Sequence, residues 1–354
     1  MIERALLSLE KKDSRETSLK KFCHTEERVD FFSVALEARI DTKGSCGKFA
    51  LRNNSCVSTF MMMGLSEHPK LQILLFILFL CVYIVALLGN LIIIAAILSY
   101  PKLHTPMYFF LFHLAVVDIV CTSTIIPKML GNIATFSKAI SYFGCIAQLY
   151  SFTWCLGAEM VLFTVMAYDR YVAICHPLRY TIMMNRKVCL VLSTAVILIA
   201  ISNSWVHTGL IMGLTVCGPN GINHFFCEIP PLLALSCSPV RLNEVWVFTA
   251  DIFLAMGDFL LTCLSYCFIV RAILKIKTTE GKKKAFSTCS SHLIVVSLYY
   301  STVIYTYIRP ASSYSFERDK IVAALYTLVT PTLNPIVYTL RNKDVKAAIR
   351  KLYP

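Results

Sequence analysis

The residues best placed to do chemistry in this chain are charged side chains that stand inside, or directly at the end of, long apolar stretches. Ionisable groups are costly at membrane depth and usually face the interior of a helix bundle. Their types therefore predict a cation site, a ligand contact or a conformational switch. They are Asp118, Glu159, Asp169, Arg170, Asp251 and Asp258.

The stretches around these residues have the composition of a membrane protein. The 354 residues are 56% hydrophobic and only 16% charged, with a mean hydropathy of +0.64, whereas a soluble domain carries about 25% charged residues. A bilayer core about 30 Å thick requires about 20 apolar residues in a helix. Seven stretches, named here spans one to seven, satisfy this length: 71–98, 106–128, 139–170, 188–214, 245–271, 285–308 and 321–341.

Basic residues predict the orientation of these spans. Beyond the first 60 residues, one set of connecting segments holds sixteen Lys and Arg and the other set holds seven. The richer side is expected to be cytoplasmic. The N-terminus is then extracellular and the C-terminus cytoplasmic, and much of the net charge of +13 reflects topology rather than binding to nucleic acid.

The ends of the chain differ from its centre. Residues 1–60 are predicted to be a disordered extracellular tail, residues 61–342 the membrane domain, and residues 343–354 a short cytoplasmic tail. Glu3 and Glu10 interrupt any signal-peptide core, so span one is expected to target the chain. An alternative is that translation starts near the end of this tail, for instance at Met61. Asn53 begins a glycosylation sequon on the predicted outer side.

Four cysteines fall on the predicted outer surface, which is an oxidising compartment. Cys145 precedes span three, while Cys217, Cys227 and Cys237 lie between spans four and five. An even set predicts two disulfides with three alternative pairings.

No catalytic motif is present. The sequence contains no HExxH, GxSxG, CxxC or phosphate-loop pattern. His113, His207 and His292 are interpreted as hydrogen-bonded helix residues, and the chain is predicted not to be an enzyme. A transporter would show internal repeats and paired Gly or Pro interruptions, which we do not find.

Helical spacing predicts a polar core. Glu159, Leu156 and Phe152 share one face with Arg170, because they lie close to three, four and five turns before it. Asp118 is near mid-depth in span two, so it could meet Glu159. Two interpretations remain open: a switch or cation site, with sodium as the candidate ion, and a hydrogen-bonded pair that only fixes packing.

Several motifs occur in a recognisable order. They are Gly89-Asn90, LHTPMYFFLFHLAVVD at 103–118, MAYDRYVAICHPLRY at 166–180, Ser265-Tyr266, KAFSTCSSHL at 284–293 and PTLNPIVYTLRNKDV at 331–345. Over residues 60–352 the chain resembles the rhodopsin-like G-protein-coupled receptors, and in particular the odorant-receptor branch. The resemblance implies an all-α fold, a seven-transmembrane helix bundle.

The resemblance also implies roles for individual residues. Asp169 would hold Arg170 at rest, and Arg170 would turn toward a G protein when span six tilts. No acid stands at the foot of span six, where Lys282-Lys283-Lys284 occurs, so this second lock on the arginine is absent. The residues implied in the switch are Asp169, Arg170, Tyr171, Tyr266, Asn334, Pro335 and Tyr338, and the polar core residues are Asn90, Asp118 and Glu159.

The implied disulfides are Cys145–Cys227 and Cys217–Cys237, with the segment 218–237 as a lid over a pocket. A retinal pigment would need a lysine in span seven, which is absent, and an amine receptor would need an acid where Phe152 stands. An apolar pocket with a few hydroxyl groups remains. Its expected lining is Phe152, Thr153, Leu156, Gly157, Asp251, Leu254, Ala255, Tyr300, Ile304 and Tyr307.

Two acids in span five have different expected roles. Asp251 would accept a polar ligand group or, alternatively, pair with a loop. Asp258 lies deeper, where a packing role is expected.

The predicted function is that of an odorant receptor in the plasma membrane. It would bind a small hydrophobic molecule and raise cyclic AMP through a stimulatory heterotrimeric G protein. The expected partners are this ligand, the G protein, the lipid bilayer and trafficking chaperones. Alternatives are a receptor of this fold for a non-volatile ligand outside the olfactory epithelium and a membrane transporter.

Overall fold

The computed structural model describes residues 57–65, 68–135, 137–216, 220–307, 316–341 and 343–352. The described chain is a bundle of long helices, which follows from apolar runs of more than 20 residues that must satisfy their backbone polar groups within the lipid. Spans one to four are the helices Pro69–Ser99, Pro106–Thr135, Tyr142–Cys175 and Arg186–Met212.

Spans five and seven each contain a turn of π-helix. Span five comprises Arg241–Trp246, the π-helix Val247–Asp251 and the helix Ile252–Lys275. Span seven comprises Phe316–Ala324, the π-helix Leu325–Val329 and Thr330–Arg341, while span six is the single helix Thr279–Tyr307. The remaining helices are short or terminal: Pro101–Leu103, Pro177–Arg179, Tyr180–Met183, Ile229–Leu233 and Lys343–Leu352.

Capping side chains help to set where two spans begin. The Ser141 hydroxyl accepts a hydrogen bond from the Gly144 amide at 3.1 Å, and the Asn185 carboxamide accepts one from the Val188 amide at 3.1 Å. Each side chain satisfies one amide of the first helical turn, which has no partner within the helix.

Six helices of the described chain are long and apolar enough to cross a membrane. Span six is the exception by composition, because the helix begins in a basic stretch and only His292–Val303 is continuously apolar. The seven-helix bundle predicted from the sequence is therefore observed, with one span whose apolar part is short.

Span three lies at the centre of the bundle. In the most apolar part of this helix 61% of the residues are buried, against 11% in span one. Span three packs against spans two, four and five. Span one is left to face the lipid on most of its surface. Residues of span three can consequently touch side chains from several neighbours at once.

A small sheet covers the end of the bundle where span three begins. Strand β1 (Thr59–Met62) pairs antiparallel with β2 (Ala139–Ser141) and parallel with β3 (Gly221–Ile222), in the order β2-β1-β3. Phe60 and Met62 alternate with exposed Met61 and are each 1% exposed. The sequence placed a domain boundary at residue 60, which falls inside β1; the uncharged stretch from Cys56 to Leu65 is the signal for this strand.

The terminal helix Lys343–Leu352 lies where the sequence predicted a short tail. Val345 and Ala348 are buried against the bundle, whereas Lys346 and Arg350 are exposed. The Lys351 ammonium lies 5.2 Å from the centre of the Tyr100 ring. This contact links the helix to the segment that follows span one.

Candidate functional site

Arg170 and Asp169 form a buried ion pair at one end of span three. Arg170 is 7% exposed, and its guanidinium donates to the Asp169 carboxylate. The Tyr180 hydroxyl donates to the other Asp169 oxygen at 2.8 Å. Burial and the Asp169 charge raise the pKa of Tyr180, so this residue stays a neutral donor. One carboxylate thus holds both a cation and a hydroxyl.

The three tyrosines implied in the switch lie in different surroundings. The Tyr266 hydroxyl lies 2.8 Å from His292 Nδ1, and the two rings stack. The Tyr338 side chain is 1% exposed, and its hydroxyl has no hydrogen-bond partner among the described residues. The Tyr171 hydroxyl lies 3.1 Å from His176 Nε2.

The polar core joins spans one, two and seven. The Asn334 carboxamide donates to the two Asp118 oxygens at 3.1 and 2.9 Å, and Asn90 donates to the carbonyl oxygens of Ala86 and Pro331 at 3.0 and 3.1 Å. Glu159 from span three is 1% exposed, and its Oε1 has no partner among the described residues. The Asp118 and Glu159 carboxylates lie close enough to interact electrostatically.

Gly89 and Pro335 bring spans one and seven into contact beside this core. A Cβ atom added at Gly89 would lie 2.8 Å from Cβ and 2.9 Å from Cγ of Pro335, which is too close for packed carbon atoms. Glycine is therefore required at residue 89 for the close approach of the two helices.

Part of the expected ligand pocket is assembled in the structure. Phe152 is buried, and its ring centre lies 4.9 Å from that of Phe226 in the lid and 6.1 Å from that of Tyr326 in span seven. The Leu156 carbonyl accepts a hydrogen bond from Tyr299 at 2.9 Å. Tyr300 is also buried, while Leu254 is half-buried and Ala255 belongs to the hydrophobic core.

Two expected pocket residues face a different helix. The Thr153 hydroxyl lies 2.7 Å from the Ser204 hydroxyl of span four and donates within its own helix to Leu149. A Cβ atom on Gly157 would meet Ala200, also of span four, at 3.6 Å. The expectation that Thr153 and Gly157 line the space between spans three, five and six is thus corrected. The side chains of Asp251, Ile304 and Tyr307 lie outside the described part of the chain.

The Cys145–Cys227 disulfide ties the lid to the start of span three, with 5.5 Å between the Cα atoms. The Gln148 carboxamide accepts a hydrogen bond from the Cys227 amide at 2.9 Å. Cys237 is also disulfide-bonded, but Cys217 lies outside the described residues.

A polar cluster connects the lid to span seven. The Tyr326 hydroxyl donates to Glu228, and His224 Nε2 lies 3.5 Å from the same carboxylate. Burial lowers the pKa of His224 to about 3, and the positive charge of Lys320 contributes in the same direction. The ring is therefore neutral at physiological pH.

Sequence reasoning missed several of these residues. His292 was interpreted as an ordinary helix residue, and Tyr180, Glu228 and Tyr326 were not singled out. A signal was available for Glu228, since it is the one acid in the loop segment 214–237. The partners of the three others depend on contacts between distant segments, which spacing does not reveal.

Seven helices with a disulfide-tied lid over one end and a buried Asp–Arg pair at the other form the fold of the rhodopsin-like G-protein-coupled receptors. Comparison with known sequences narrows this class. The profile of the family described as "Olfactory receptor" matches residues 79–354. The chain belongs to the olfactory receptor family, which is a family of receptors and not of enzymes.

Individual relatives agree with this assignment. The chain is 66% identical to Olfactory receptor 13G1 of Homo sapiens over 301 residues, which cover 85% of this chain and 98% of the relative. It is 54% identical to Olfactory receptor 13A1 of Homo sapiens over 304 residues, covering 86% and 93%. It is also 48% identical to Olfactory receptor 5AR1 of Mus musculus over 300 residues, covering 85% and 97%.

Proposed function

We propose that this receptor binds a small, mostly hydrophobic odorant within the bundle and activates a stimulatory heterotrimeric G protein, raising cyclic AMP. The observation that carries the proposal is the ion pair of Arg170. This cation is almost fully buried and held by Asp169 of its own helix, so a rearrangement of the neighbouring spans can release it without unfolding span three.

The chemistry of activation is a shift between two packings. An agonist moves the equilibrium only by the difference between its affinities for the two states. In the resting packing, Asp169 holds Arg170 and accepts from Tyr180. In the activated packing, Arg170 would leave this carboxylate and present its guanidinium to the G protein.

A panel of volatile and non-volatile compounds, scored by cyclic AMP in cells that express the chain, tests this proposal. We expect volatile, mostly apolar compounds to raise cyclic AMP, and Arg170→Ala to abolish the response at equal surface expression. Arg179→Ala, an exposed arginine nearby, is the matched control and should respond as the wild type does. A normal response from Arg170→Ala would contradict the mechanism, and responses to non-volatile compounds alone would favour the other ligand class.

The ligand would lie against Phe152, Leu156 and Tyr300, with the lid residue Phe226 above it. Burial of apolar surface would supply most of the binding free energy, at about 25 cal/mol per Å². We expect Phe152→Ala to shift the agonist dose response about tenfold or more to higher concentration, because a buried aromatic side chain contributes more than about 1.4 kcal/mol.

Thr153→Val is the matched control for the pocket. It keeps the side-chain volume and changes a residue that faces span four. A larger shift for Thr153→Val than for Phe152→Ala would show that the pocket has been assigned to the wrong face of span three.

We also propose a sodium site between Asp118 and Glu159. Carboxylate oxygens suit a hard cation, and Glu159 Oε1, which is shielded and has no hydrogen-bond partner in the described part of the chain, fits such a ligand role. Replacing choline chloride by sodium chloride at equal ionic strength should raise the midpoint of thermal unfolding of the purified receptor. Glu159→Gln should remove this difference, and its persistence would argue against the site.

The orientation in the membrane is part of the proposal. The basic residues support an extracellular N-terminus, glycosylation at Asn53 outside the described residues, and delivery to the plasma membrane with the help of trafficking chaperones. Epitope tags at the two termini, probed in intact and permeabilised cells, should report opposite sides of the membrane.

A further inference from the structure

A cavity lies at the end of the bundle that carries the small sheet. Strand β1, span one, span two and the lid all contribute to its wall, through residues that include Met62, Leu75, Met129 and Phe225. The described lining contains none of the residues expected for the ligand pocket. This cavity is therefore not part of that pocket.

The wall of the cavity is mostly apolar and can adapt its shape. Met62 of β1 and Met129 of span two both line it, and methionine side chains are flexible enough to fill irregular spaces. An apolar wall with a few polar groups is typical of sites for small organic molecules. The lining thus favours an apolar ligand over an ion.

Asn132 of span two supplies a hydrogen-bond donor in this wall. Its carboxamide nitrogen donates to the Met62 sulfur at 3.5 Å. A thioether is only a weak acceptor, so a carbonyl oxygen brought into the cavity would be a stronger partner for the same N–H group. The carboxamide therefore selects a ligand that carries an acceptor oxygen.

The size of the cavity limits the group that it can hold. Its enclosed part has a volume of about 40 Å³, and it opens to the solvent with about 470 Å³ of space in all. One water molecule needs about 10–15 Å³, so the enclosed part takes a group of only a few heavy atoms. A carbonyl group and its neighbouring carbons fit there, and an apolar chain can extend along the open part.

Two aromatic rings of the lid lie between this cavity and the ligand pocket. Phe225 lines the cavity, and its ring centre is 4.9 Å from that of Phe226. The Phe226 ring centre is in turn 4.9 Å from that of Phe152. A molecule held in the cavity would therefore lie beside the rings that cover the pocket.

We propose that this cavity is a second ligand site, which binds a small apolar aldehyde or ketone through the Asn132 carboxamide on the lid side of the Phe152 pocket. The inference goes beyond the proposed function, because it concerns a site outside that pocket and requires no G protein. It follows that a ketone should protect the cavity from chemical labelling even when the pocket is damaged.

Protection from labelling tests the site in the purified receptor, with methyl pentyl ketone as the probe. Ile133 lines the cavity and is half-buried, so the thiol of Ile133→Cys should react with a methanethiosulfonate reagent. Peptide mass spectrometry measures the labelling of that position. We expect the ketone to slow this reaction in a saturable manner.

Thr135→Cys is the matched control, because Thr135 is an exposed residue near the end of the same helix. Its labelling rate should be the same with and without the ketone. Absence of protection in Ile133→Cys, or equal protection of the two positions, would overturn the proposal.

Two further substitutions, each added to Ile133→Cys, identify the cause of the protection. Asn132→Leu removes the donor at similar volume and should raise the ketone concentration for half protection about fivefold, which corresponds to loss of one ordinary hydrogen bond. An unchanged concentration would mean that Asn132 does not bind the ketone, and the proposal would fail.

Phe152→Ala separates the cavity from the pocket. This change is expected to weaken binding in the pocket, so the concentration for half protection should stay as it is. A rise of about tenfold would show that the protection comes from the pocket and would overturn the second site. Should the receptor raise no cyclic AMP with any compound, the proposed coupling fails, whereas the labelling still decides this inference.

Discussion

At the scale of single residues, the buried charges and polar groups of this receptor differ in how completely they are satisfied. Asp169 accepts from both Arg170 and Tyr180, so the charge of the pair is balanced within the structure. Glu159 and Asp258 each retain one oxygen that has no hydrogen-bond partner within the described ranges. Groups left unsatisfied in one packing are the natural points at which a second packing gains stability.

His224 in the lid predicts a dependence of stability on pH. Its folded-state pKa is about 3, below the ordinary value of about 6.5, so between these values the unfolded chain binds a proton that the folded chain does not. The stabilisation is fully present above about pH 6.5 and is lost as the pH falls toward 3, by at most about 1.4 kcal/mol per unit. A hydrogen bond with the Phe226 backbone opposes this lowering of the pKa, but burial and the charge of Lys320 outweigh it.

The unfolding midpoint of the purified receptor at pH 7.5, 6.5 and 5.5, values chosen to bracket the ordinary histidine pKa of about 6.5, measures this effect. We expect the wild type to lose stability on acidification, and His224→Gln to lose less because glutamine does not titrate. Equal losses in the two proteins would mean that His224 does not carry the effect.

At the scale of helices, the sequence predicted the existence of every span but not its rotation or local geometry. The apolar runs and the bilayer thickness determined the number and approximate ends of the helices. The π-helices Val247–Asp251 and Leu325–Val329 have no comparable signal, because one extra residue in a turn changes neither length nor hydropathy.

The rotation of span three illustrates the same limit within the site. Spacing predicted that Phe152, Leu156 and Glu159 share a face with Arg170, and such periodicity gives relative directions only. Thr153 and Gly157 were assigned to the pocket, yet they face Ser204 and Ala200 of span four. The packing of span three against its neighbours decides which of its residues point toward the pocket and which point toward span four.

The contact between Gly89 and Pro335 predicts a strict size limit between spans one and seven. We expect Gly89→Ala to destabilise the receptor by about 1–3 kcal/mol, since its methyl group would overlap the proline ring. The unfolding midpoint of the purified protein should fall accordingly.

Gly209→Ala in span four is the matched control, because nothing lies within 4 Å of its added Cβ. This change should raise stability by about 0.5–1 kcal/mol through reduced chain entropy. A Gly89→Ala variant as stable as the wild type would show that spans one and seven can separate at no cost.

At the scale of the whole molecule, the described domain begins before the first transmembrane helix. Strand β1 is the middle strand of the sheet, and Phe60 is 1% exposed. We expect Phe60→Ala to lower the free energy of unfolding by about 3 kcal/mol, the usual effect of removing a buried aromatic ring. Surface expression and the unfolding midpoint should both decrease.

The neighbouring residue gives the control for this prediction. Met61 is 43% exposed, so Met61→Ala should change the midpoint little. If Phe60→Ala and Met61→Ala behave alike, β1 does not contribute to the folded domain, and a chain that starts at Met61 would be as stable as one that includes Phe60.

The order of the strands has a consequence for biosynthesis. The ribosome makes β1 first, but its partners β2 and β3 follow spans two and four respectively. The earliest strand must therefore wait for β2 until two helices have been made, and for β3 until four have been made. The three-stranded sheet is therefore completed late in assembly. A nascent chain halted before β3 emerges would still have an unpaired strand edge that chaperones could recognise.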